Sequence, residues 1–451
     1  MSESGFSYSL DQLQEMSASV LRLAKAAGAS AAETDISLGI GQNVTVRMGE
    51  TETIEYNRDK GVSVTVYFGQ QRGHASTSDL SEKALADTVA AACNIARYTA
   101  QDPFCGLADA DLMATEFPEL DLYHPWPITV EEAIDIAKRC EATARNVDPR
   151  ITNSEGASVS ASEGLSVYAN SHGFCAGYPT SRHSISTSVI AEDGENMQRD
   201  YWYTTARAAS DMDTPERVGQ LAGERSIRRL GCRRVKTTQV PVLFEAPLAS
   251  GLISSLVSAV SGGSLYRKSS FLLDSLGKQV ISSIVDIEEQ PHLLRGLASS
   301  SFDGEGVATK PRMLVEKGTL QGYVLSSYSA RKLGMATTGN AGGNHNLMVR
   351  HAHGNEHQLS FEQMLKTMGT GLLVTELLGH GLNMVTGDYS RGAAGFWVEN
   401  GVIAYPVEEI TIAGNMKEML LQIVALGNDV LVQGSKQVGS ILIERMTVAG
   451  E

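Results

Sequence analysis

A glycine-rich segment from Gly371 to Asn415 constrains the fold of this chain more than any other stretch. Its sequence, GLLVTELLGHGLNMVTGDYSRGAAGFWVENGVIAYPVEEITIAGN, has seven glycines before its first proline. Glycine fills no core and loses much conformational entropy on folding, so this density indicates turns with positive φ or close approach of backbone. We expect a compact charged turn in which Asp388 pairs with Arg391, and then a strand that ends at the hairpin signal Asn400-Gly401.

Two interpretations of this segment remain open. In the first, the glycines only build a structural turn. In the second, exposed backbone amides beside an arginine bind an extended peptide or its carboxylate. The candidate residues of such a peptide-binding or interface surface are Asp388, Tyr389, Arg391, Gly392 and Trp397.

The order of predicted elements indicates an α+β protein of more than one domain. A length of 451 residues suggests two or three domains. A helix, several antiparallel strands and a second helix are predicted twice before residue 235, which is consistent with a duplicated unit. The predicted divisions are an N-terminal α+β unit at 1–100, a linker at 101–127, a central α+β unit at 128–235 and a β-rich C-terminal domain at 236–451.

Local signals fix several boundaries. Thr129 and Glu132 form a predicted capping box at the start of a helix, and Asp193-Gly194 predicts a hairpin. In the C-terminal domain we expect strands at 321–327 and 429–433. We also expect a helix from Asn415 to about Ala425.

Charge and cysteine content exclude some classes of function. The net charge of −15 repels nucleic-acid phosphate, so direct nucleic-acid binding is not expected. A basic cluster at 228–236 could contact phosphate, but we prefer to interpret it as a helix C-terminus whose positive charges offset the helix dipole. Five cysteines without a Cys-x-x-Cys pair, and a start without the pattern of a secretory signal, predict a cytoplasmic protein that does not cross a membrane.

Histidines are concentrated near the glycine-rich segment, which raises the question of a metal site. Glu376 and His380 have the i, i+4 spacing of two ligands on one helical face. The zincin pattern, however, needs histidines at both ends with the glutamate between them. The sequence HAHGNEH is also typical of an exposed polar loop, and we prefer that interpretation. The five histidines concerned are His345, His351, His353, His357 and His380.

A Ser-x-x-Lys sequence at Ser329 and Lys332 offers an alternative chemistry. In such a motif the lysine can accept the serine proton and activate a nucleophile. The companion motifs S-D-N and K-T-G are absent from the sequence. A self-sufficient hydrolase that uses Ser329 and Lys332, or the histidine cluster, therefore remains the alternative function.

Five sequence motifs together resemble the TldD/PmbA family, sometimes labelled modulators of DNA gyrase, and within it the PmbA (TldE) branch. The motifs are RITNSEG at 150–156, NSHGF at 170–174, GGSLYRKSSFLLDSLGKQ at 262–279, SYSARKLG at 327–334, and GDYSRGAAGFWVENG with EEITIAGN in the glycine-rich segment. The resemblance covers nearly the whole chain.

The resemblance implies a subunit of a cytoplasmic metalloprotease made of two related chains. In that family the TldD-like chain carries zinc on an H-E-x-x-x-H helix, with a further cysteine near its C-terminus, and degrades or trims unfolded peptides. The PmbA-like chain pairs with it and encloses the chamber. The expected partners here are a TldD-like catalytic subunit and a peptide or unfolded protein, with a homodimer when the partner is missing. A binding module that modulates DNA gyrase is the remaining alternative, which rests on the family label alone.

Carried over residue by residue, the family's zinc site is vacant in this sequence. In an ungapped placement the H-E-x-x-x-H helix falls on 254–259, so that its ligand positions hold Ser254, Ser255 and Ala259. The metal-binding cysteine falls near Gly392. None of these side chains offers an imidazole, a thiolate or a carboxylate. We therefore expect no catalytic residue, metal or cofactor in this chain, and zinc in the partner subunit.

Overall fold

A six-stranded antiparallel sheet occupies the first half of the chain in the computed structural model, which describes residues 5–194 and 196–450. Two units with the same order of elements build it, and β1 pairs with β4 to join them. The strand order is β3-β2-β1-β4-β5-β6. The first unit comprises α1 (Leu10–Ala26), β1 (Ala31–Arg47), β2 (Glu50–Phe68), β3 (Gln71–Thr77) and α2 (Glu82–Tyr98). The second comprises α3 (Val130–Arg145), β4 (Ile151–Asn170), β5 (Cys175–Asp193), β6 (Asn196–Ala206) and α4 (Pro215–Arg228).

The four helices cover one face of this sheet. Along β1 the side chains of Ile36 and Val44 are fully buried beneath helices. Because side chains alternate along a strand, the odd-numbered residues of β1 in this region lie on the opposite face. That face is polar: Thr45 and Ser158 are joined there through their hydroxyl groups at 2.9 Å. One face thus holds the core of this half, and the other is hydrophilic.

The C-terminal domain contains two further sheets. The first has the order β10-β9-β8-β11-β16, and the second has the order β14-β13-β12-β7-β17-β15. An additional pairing of β14 with β17 closes β7, β12, β13, β14 and β17 of the second sheet into a ring. The α+β fold class, with a β-rich C-terminal domain, is confirmed. The elements are β7 (Thr238–Phe244), α5 (Ala246–Ala259), α6 (Gly262–Tyr266), β8 (Val285–Gln290), β9 (Arg312–Glu316), β10 (Thr319–Leu320), α7 (Ser327–Leu333), β11 (Asn346–His351), α8 (Phe361–Met368), β12 (Gly371–Leu378), β13 (Asp388–Glu399), β14 (Val402–Asn415), α9 (Met416–Leu421), β15 (Ile423–Leu426), β16 (Lys436–Gln437) and β17 (Ile441–Ala449).

The structure corrects three local predictions. Residues 321–326 form no named strand: Val324 makes a single bridge with Ser261, and Ser327 begins α7. Residues 429–433 form a loop in which Leu431 bridges Val438. The helix that Asn415 caps ends at Leu421, because the following residues form strand β15 instead.

The two strongest local signals are confirmed. The Thr129 hydroxyl accepts from the Glu132 amide, and the Glu132 carboxylate accepts from the Thr129 amide, which is the complete capping box. Gly194, with φ of 63°, begins the turn between β5 and β6. None of the helices in the described ranges combines the length and the apolar character needed to cross a lipid bilayer.

A buried ion network fastens the central unit to the C-terminal domain. Arg225, near the end of α4, donates to Asp200 of β6 at 3.1 Å and to both carboxylate oxygens of Glu245 at 3.0 and 2.9 Å. Arg229 pairs with Asp200 and with Glu376 of β12. The side chains of Arg225 and Asp200 are 10% and 4% exposed. The basic cluster at the end of α4 is thus used in part for contacts between domains.

We predict that Arg225→Met strongly destabilises the protein. The substitution leaves Asp200 and Glu245 as buried carboxylates that have lost this partner, and breaking a buried pair in this way costs about 3–5 kcal/mol. The measurement is the free energy of unfolding from urea denaturation, followed by tryptophan fluorescence.

The matched control is Arg139→Met. Arg139 pairs with Asp135 and Glu216, but all three side chains are about half exposed or more, so a loss of at most about 1 kcal/mol is expected. Equal stability losses in the two variants would contradict the role assigned to the buried network.

Candidate functional site

Helix α5 carries the positions at which the resemblance places zinc ligands. Leu252, Ile253 and Leu256 turn one face of α5 into the core, where each is at most 3% exposed. Ser254 and Ser255 are partly exposed, and their hydroxyl groups donate to carbonyl oxygens one turn earlier in the helix, at 2.8 and 2.9 Å. The vacant positions are therefore built into an ordinary amphipathic helix.

The chemistry of these side chains does not fit zinc. Zinc in proteins is held by imidazole, thiolate or carboxylate groups. The two serine hydroxyls are neutral and already donate within the helix, and the methyl group of Ala259 is fully buried. Within the described ranges, no group of three or more histidine, cysteine, aspartate or glutamate side chains is arranged to hold a metal ion.

Strand β13 contains the candidate residues of the glycine-rich segment. Gly392 lies in the middle of the sheet, between Leu378 of β12 and Thr411 of β14. A Cβ atom added there would lie 3.2 Å from the Leu378 Cβ, so a cysteine side chain would need a small shift of Leu378. Nearby, an added Cβ at Gly395 would meet the Leu373 carbonyl oxygen at 1.9 Å. Close backbone approach, one of the two uses predicted for glycine here, is therefore present.

The predicted turn at Asp388 to Arg391 is wrong, because both residues belong to β13. Asp388 accepts from the Thr386 hydroxyl at 2.6 Å and from Asn415 at 3.2 Å, and these hydrogen bonds lower the pKa of its carboxyl group. The Arg391 Nε atom is buried and has no hydrogen-bond partner among the described residues. Asp388 therefore does not pair with Arg391 as predicted, and instead accepts hydrogen bonds from Thr386 and Asn415.

The other candidates on β13 face the core to different degrees. Tyr389 is 5% exposed, and burial raises the pKa of its phenol to about 12. Trp397 is partly buried and packs against the main core of the C-terminal domain, opposite Leu372 and Tyr405 in the sheet. The predicted hairpin signal is confirmed, since Asn400 and Gly401 both have positive φ, at 51° and 75°.

Glu376 and His380 do not form a helical pair. Glu376 lies in strand β12 and pairs with Arg229, whereas His380 is exposed in the loop that follows. The i, i+4 spacing suggested two metal ligands only if this segment were helical, and it is not. The tertiary ion pair with Arg229 explains why a glutamate occurs at this position.

The remaining histidines divide into a buried residue and a surface group. His345 is 8% exposed and donates its backbone N–H to the Glu289 carboxylate at 2.8 Å. Burial opposes the charge of Glu289, but hydrogen bonds from His345 and the charge of Arg312 lower its pKa to about 2. His351, His353 and His357 lie together at the end of β11, with ring centroids 5.2–6.1 Å apart.

Ser329 and Lys332 have separate structural contacts. The Ser329 hydroxyl accepts from the Ser326 amide at 3.0 Å and completes the capping box of α7. Lys332 lies 3.6 Å from the Asp102 carboxylate of the linker, next to the ring of Tyr328. Burial opposes its charge, but the hydrogen bond with Tyr328 and the charge of Asp102 outweigh this and raise its pKa. A lysine stabilised in its charged form is poorly suited to accept a serine proton.

Sequence reasoning missed a cavity of about 230 Å³ beside α5. Ser250 and Ser254 of α5 and Tyr203 of β6 line it, together with Gln433 and with Lys436, the first residue of β16. The available signal was weak: a lysine within the sequence QGSKQ, with no acidic residue within six positions on either side. Only the tertiary structure brings that lysine next to α5.

Models of one protein family match most of the chain. The PmbA/TldA metallopeptidase domain 1 matches residues 32–96, the central domain matches 123–230, and the C-terminal domain matches 237–450. Metalloprotease PmbA of Escherichia coli O157:H7 is 51% identical over 439 residues, which cover 97% of this chain and 96% of that protein. The Haemophilus influenzae PmbA homologue is 47% identical over 97% of this chain and 96% of that protein.

A solved structure shows that the fold is also shared. A Bacteroides thetaiotaomicron protein described as a candidate modulator of DNA gyrase superposes with a TM-score of 0.92 at 27% identity, covering 98% of this chain and 99% of that one. TldE from Thermococcus kodakarensis has the same fold, with a TM-score of 0.81 at 19% identity over 96% of this chain and all of that one. The chain therefore belongs to the TldD/PmbA metallopeptidase family, in its PmbA branch.

Proposed function

We propose that this chain is the zinc-free subunit of a two-chain cytoplasmic metallopeptidase that degrades or trims unfolded peptides. The observation that carries the proposal is the chemistry of α5. At the positions that hold zinc in a TldD-like chain, this helix presents two hydroxyl groups that donate to the helix backbone and one buried methyl group. The peptide chemistry is then supplied by a TldD-like partner that holds the zinc.

Similarity to catalytic relatives supports the pairing. The Haemophilus influenzae TldD homologue is 24% identical over 385 residues, which cover 82% of this chain and 79% of that protein. Two chains with related folds can associate about an approximate two-fold axis, as symmetric homodimers do. We therefore propose a heterodimer with a TldD-like chain, and a homodimer of this chain when the partner is missing.

The role of this chain in the complex is to supply interface and substrate-channel surface. Candidate residues are Asp388, Tyr389, Arg391, Gly392 and Trp397 of β13. Of these, the arginine has a buried Nε atom without a hydrogen-bond partner in the described part of the chain. An unsatisfied buried donor of this kind calls for a structural or functional explanation. The net charge of −15 argues against direct contact with DNA.

We predict that the purified chain alone lacks both stoichiometric zinc and peptidase activity, and that activity appears when a TldD-like chain is added. The measurements are elemental analysis of the lone chain and cleavage of a fluorogenic unfolded peptide with and without the partner. In the control, the partner carries Gln in place of the glutamate of its H-E-x-x-x-H helix, and the mixture should stay inactive. Zinc in the lone chain, with cleavage that a chelator stops, would falsify the proposal.

We also predict that Ser329→Ala leaves the peptidase activity of the two-chain mixture within about twofold of the original. Its hydroxyl belongs to the capping box of α7, so the expected cost is about 1 kcal/mol of stability. Lys332→Met should behave in the same way. A hydrolase based on Ser329 and Lys332 predicts instead a loss of activity by orders of magnitude in both variants, which is the result that would favour the alternative function.

A further inference from the structure

The cavity beside α5 contains a lysine side chain that forms no salt bridge with the described residues. Lys436 lines the cavity and is partly buried, and its ammonium group contacts the Ser435 hydroxyl at 3.3 Å. It forms no ion pair with any carboxylate of the described residues. Glu245, which directly precedes α5, is not available to it, because its carboxylate binds Arg225 and Arg228.

Burial of this ammonium group has a cost that no counter-charge offsets. Desolvation lowers the pKa of Lys436. A lysine at the start of the short strand β16 could extend into solvent and avoid this loss, since its side chain is long and flexible. A partly buried cation in a cavity, without a carboxylate partner, is a common feature of sites that bind an anion.

The serine hydroxyls of the cavity restrict what kind of anion fits. The Ser250 hydroxyl donates to the Pro247 carbonyl at 3.0 Å, and the Ser254 hydroxyl donates to the Ser250 carbonyl at 2.8 Å. Because their protons are used within the helix, these oxygens can only accept from a ligand. The amide nitrogen of Gln433 donates to the Tyr203 carbonyl at 2.9 Å, which leaves its oxygen as another acceptor. The lining thus offers Lys436 as its cationic donor and several acceptor oxygens, together with the hydroxyl groups of Tyr203 and Ser435, which can donate or accept.

This combination suits the end of a peptide better than phosphate. A C-terminal residue carries a carboxylate and, one residue length away, a backbone N–H donor. Phosphate offers mainly acceptor oxygens, which would face the acceptor oxygens of the serines. The partly buried side chain of Leu431 also lines the cavity and can contact an apolar residue of a peptide.

We propose that this cavity binds the C-terminal residue of a peptide, with the carboxylate on Lys436 and the terminal backbone N–H directed to the oxygens of Ser250 and Ser254. The inference rests on the proposed function in peptide handling and deepens it, because it assigns this chain a role in holding the substrate. The site lies beside the helix whose counterpart holds zinc in a catalytic relative. A cation of this chain would thus position the end of a substrate.

The test is a comparison of two pentapeptides that differ only at the C-terminus, binding to the full-length chain. Both have the sequence AVSAV with a fluorescent label on the N-terminal amine, one as a free acid and the other as an amide, and binding is measured by fluorescence anisotropy. We expect amidation to weaken binding by about tenfold or more, as the loss of a charged hydrogen bond does. Lys436→Met should weaken binding of the free acid by the same factor and leave binding of the amide unchanged.

Controls separate this effect from damage to the fold. Lys138→Met removes an exposed lysine of α3 and should leave both affinities unchanged, and both variants should keep the thermal unfolding midpoint of the original chain. Inorganic phosphate at millimolar concentration should not displace the free-acid peptide. An amidated peptide that ends in glutamate should bind like the other amide, since its carboxylate lies on a side chain.

Several results would overturn the inference. They are equal affinity for acid and amide, a loss in Lys436→Met that is the same for both peptides, competition by phosphate, tight binding of the glutamate amide, or no binding of the free acid. None of these results bears on the zinc content of the lone chain or on its activation by a partner. The proposed function is therefore tested separately and can stand when this inference fails.

Discussion

The position of α5 depends on the buried salt bridge between Arg225 and Glu245. Glu245 is the residue before the first turn of α5, and its carboxylate contributes no cap to that helix because it binds Arg225 and Arg228. Arg225 in turn binds Asp200 of β6. One guanidinium group therefore links the N-terminal sheet to α5, the helix on which the resemblance places zinc ligands. Hydrophobic packing alone would not fix the direction of that contact, whereas charged hydrogen bonds do.

A second polar contact fixes the linker against the C-terminal domain. Helix α7, which contains Ser329 and Lys332, holds the linker through two neighbouring side chains. Arg331 donates to the carbonyl oxygens of Gly106 and Leu107 at 3.2 and 2.5 Å, and Lys332 approaches Asp102. The Ser-x-x-Lys sequence, which resembles a catalytic motif, is thus explained by a helix cap and by contacts with the linker. The same residue types serve a nucleophilic site only when serine and lysine contact each other.

Local signals in the sequence correctly predicted those features, such as helix caps and hairpin turns, that depend only on neighbouring residues. The capping box of Thr129 and Glu132 and the hairpin at Asn400-Gly401 are both decided within a few positions. Glu376 was misinterpreted because spacing is meaningful only if the segment is helical, and the partner that explains it, Arg229, is 147 positions away. Lys436 was missed for the same reason, since its environment is made by α5 and β6.

The packing of α5 does not depend on the positions at which the resemblance places zinc ligands. The side chains that bury this helix, such as Ile253 and Leu256, occupy one face, and Ser254 and Ser255 lie outside the core. Exchange of ligand residues for serine on a partly exposed face costs little packing energy, so metal chemistry can be lost while the helix stays in place. A cavity next to such a helix keeps its shape. Lys436 then supplies a single positive charge there, which can attract a carboxylate but, unlike zinc, cannot generate hydroxide from water. In the function proposed above, the binding of a peptide end and its hydrolysis are therefore tasks of different chains.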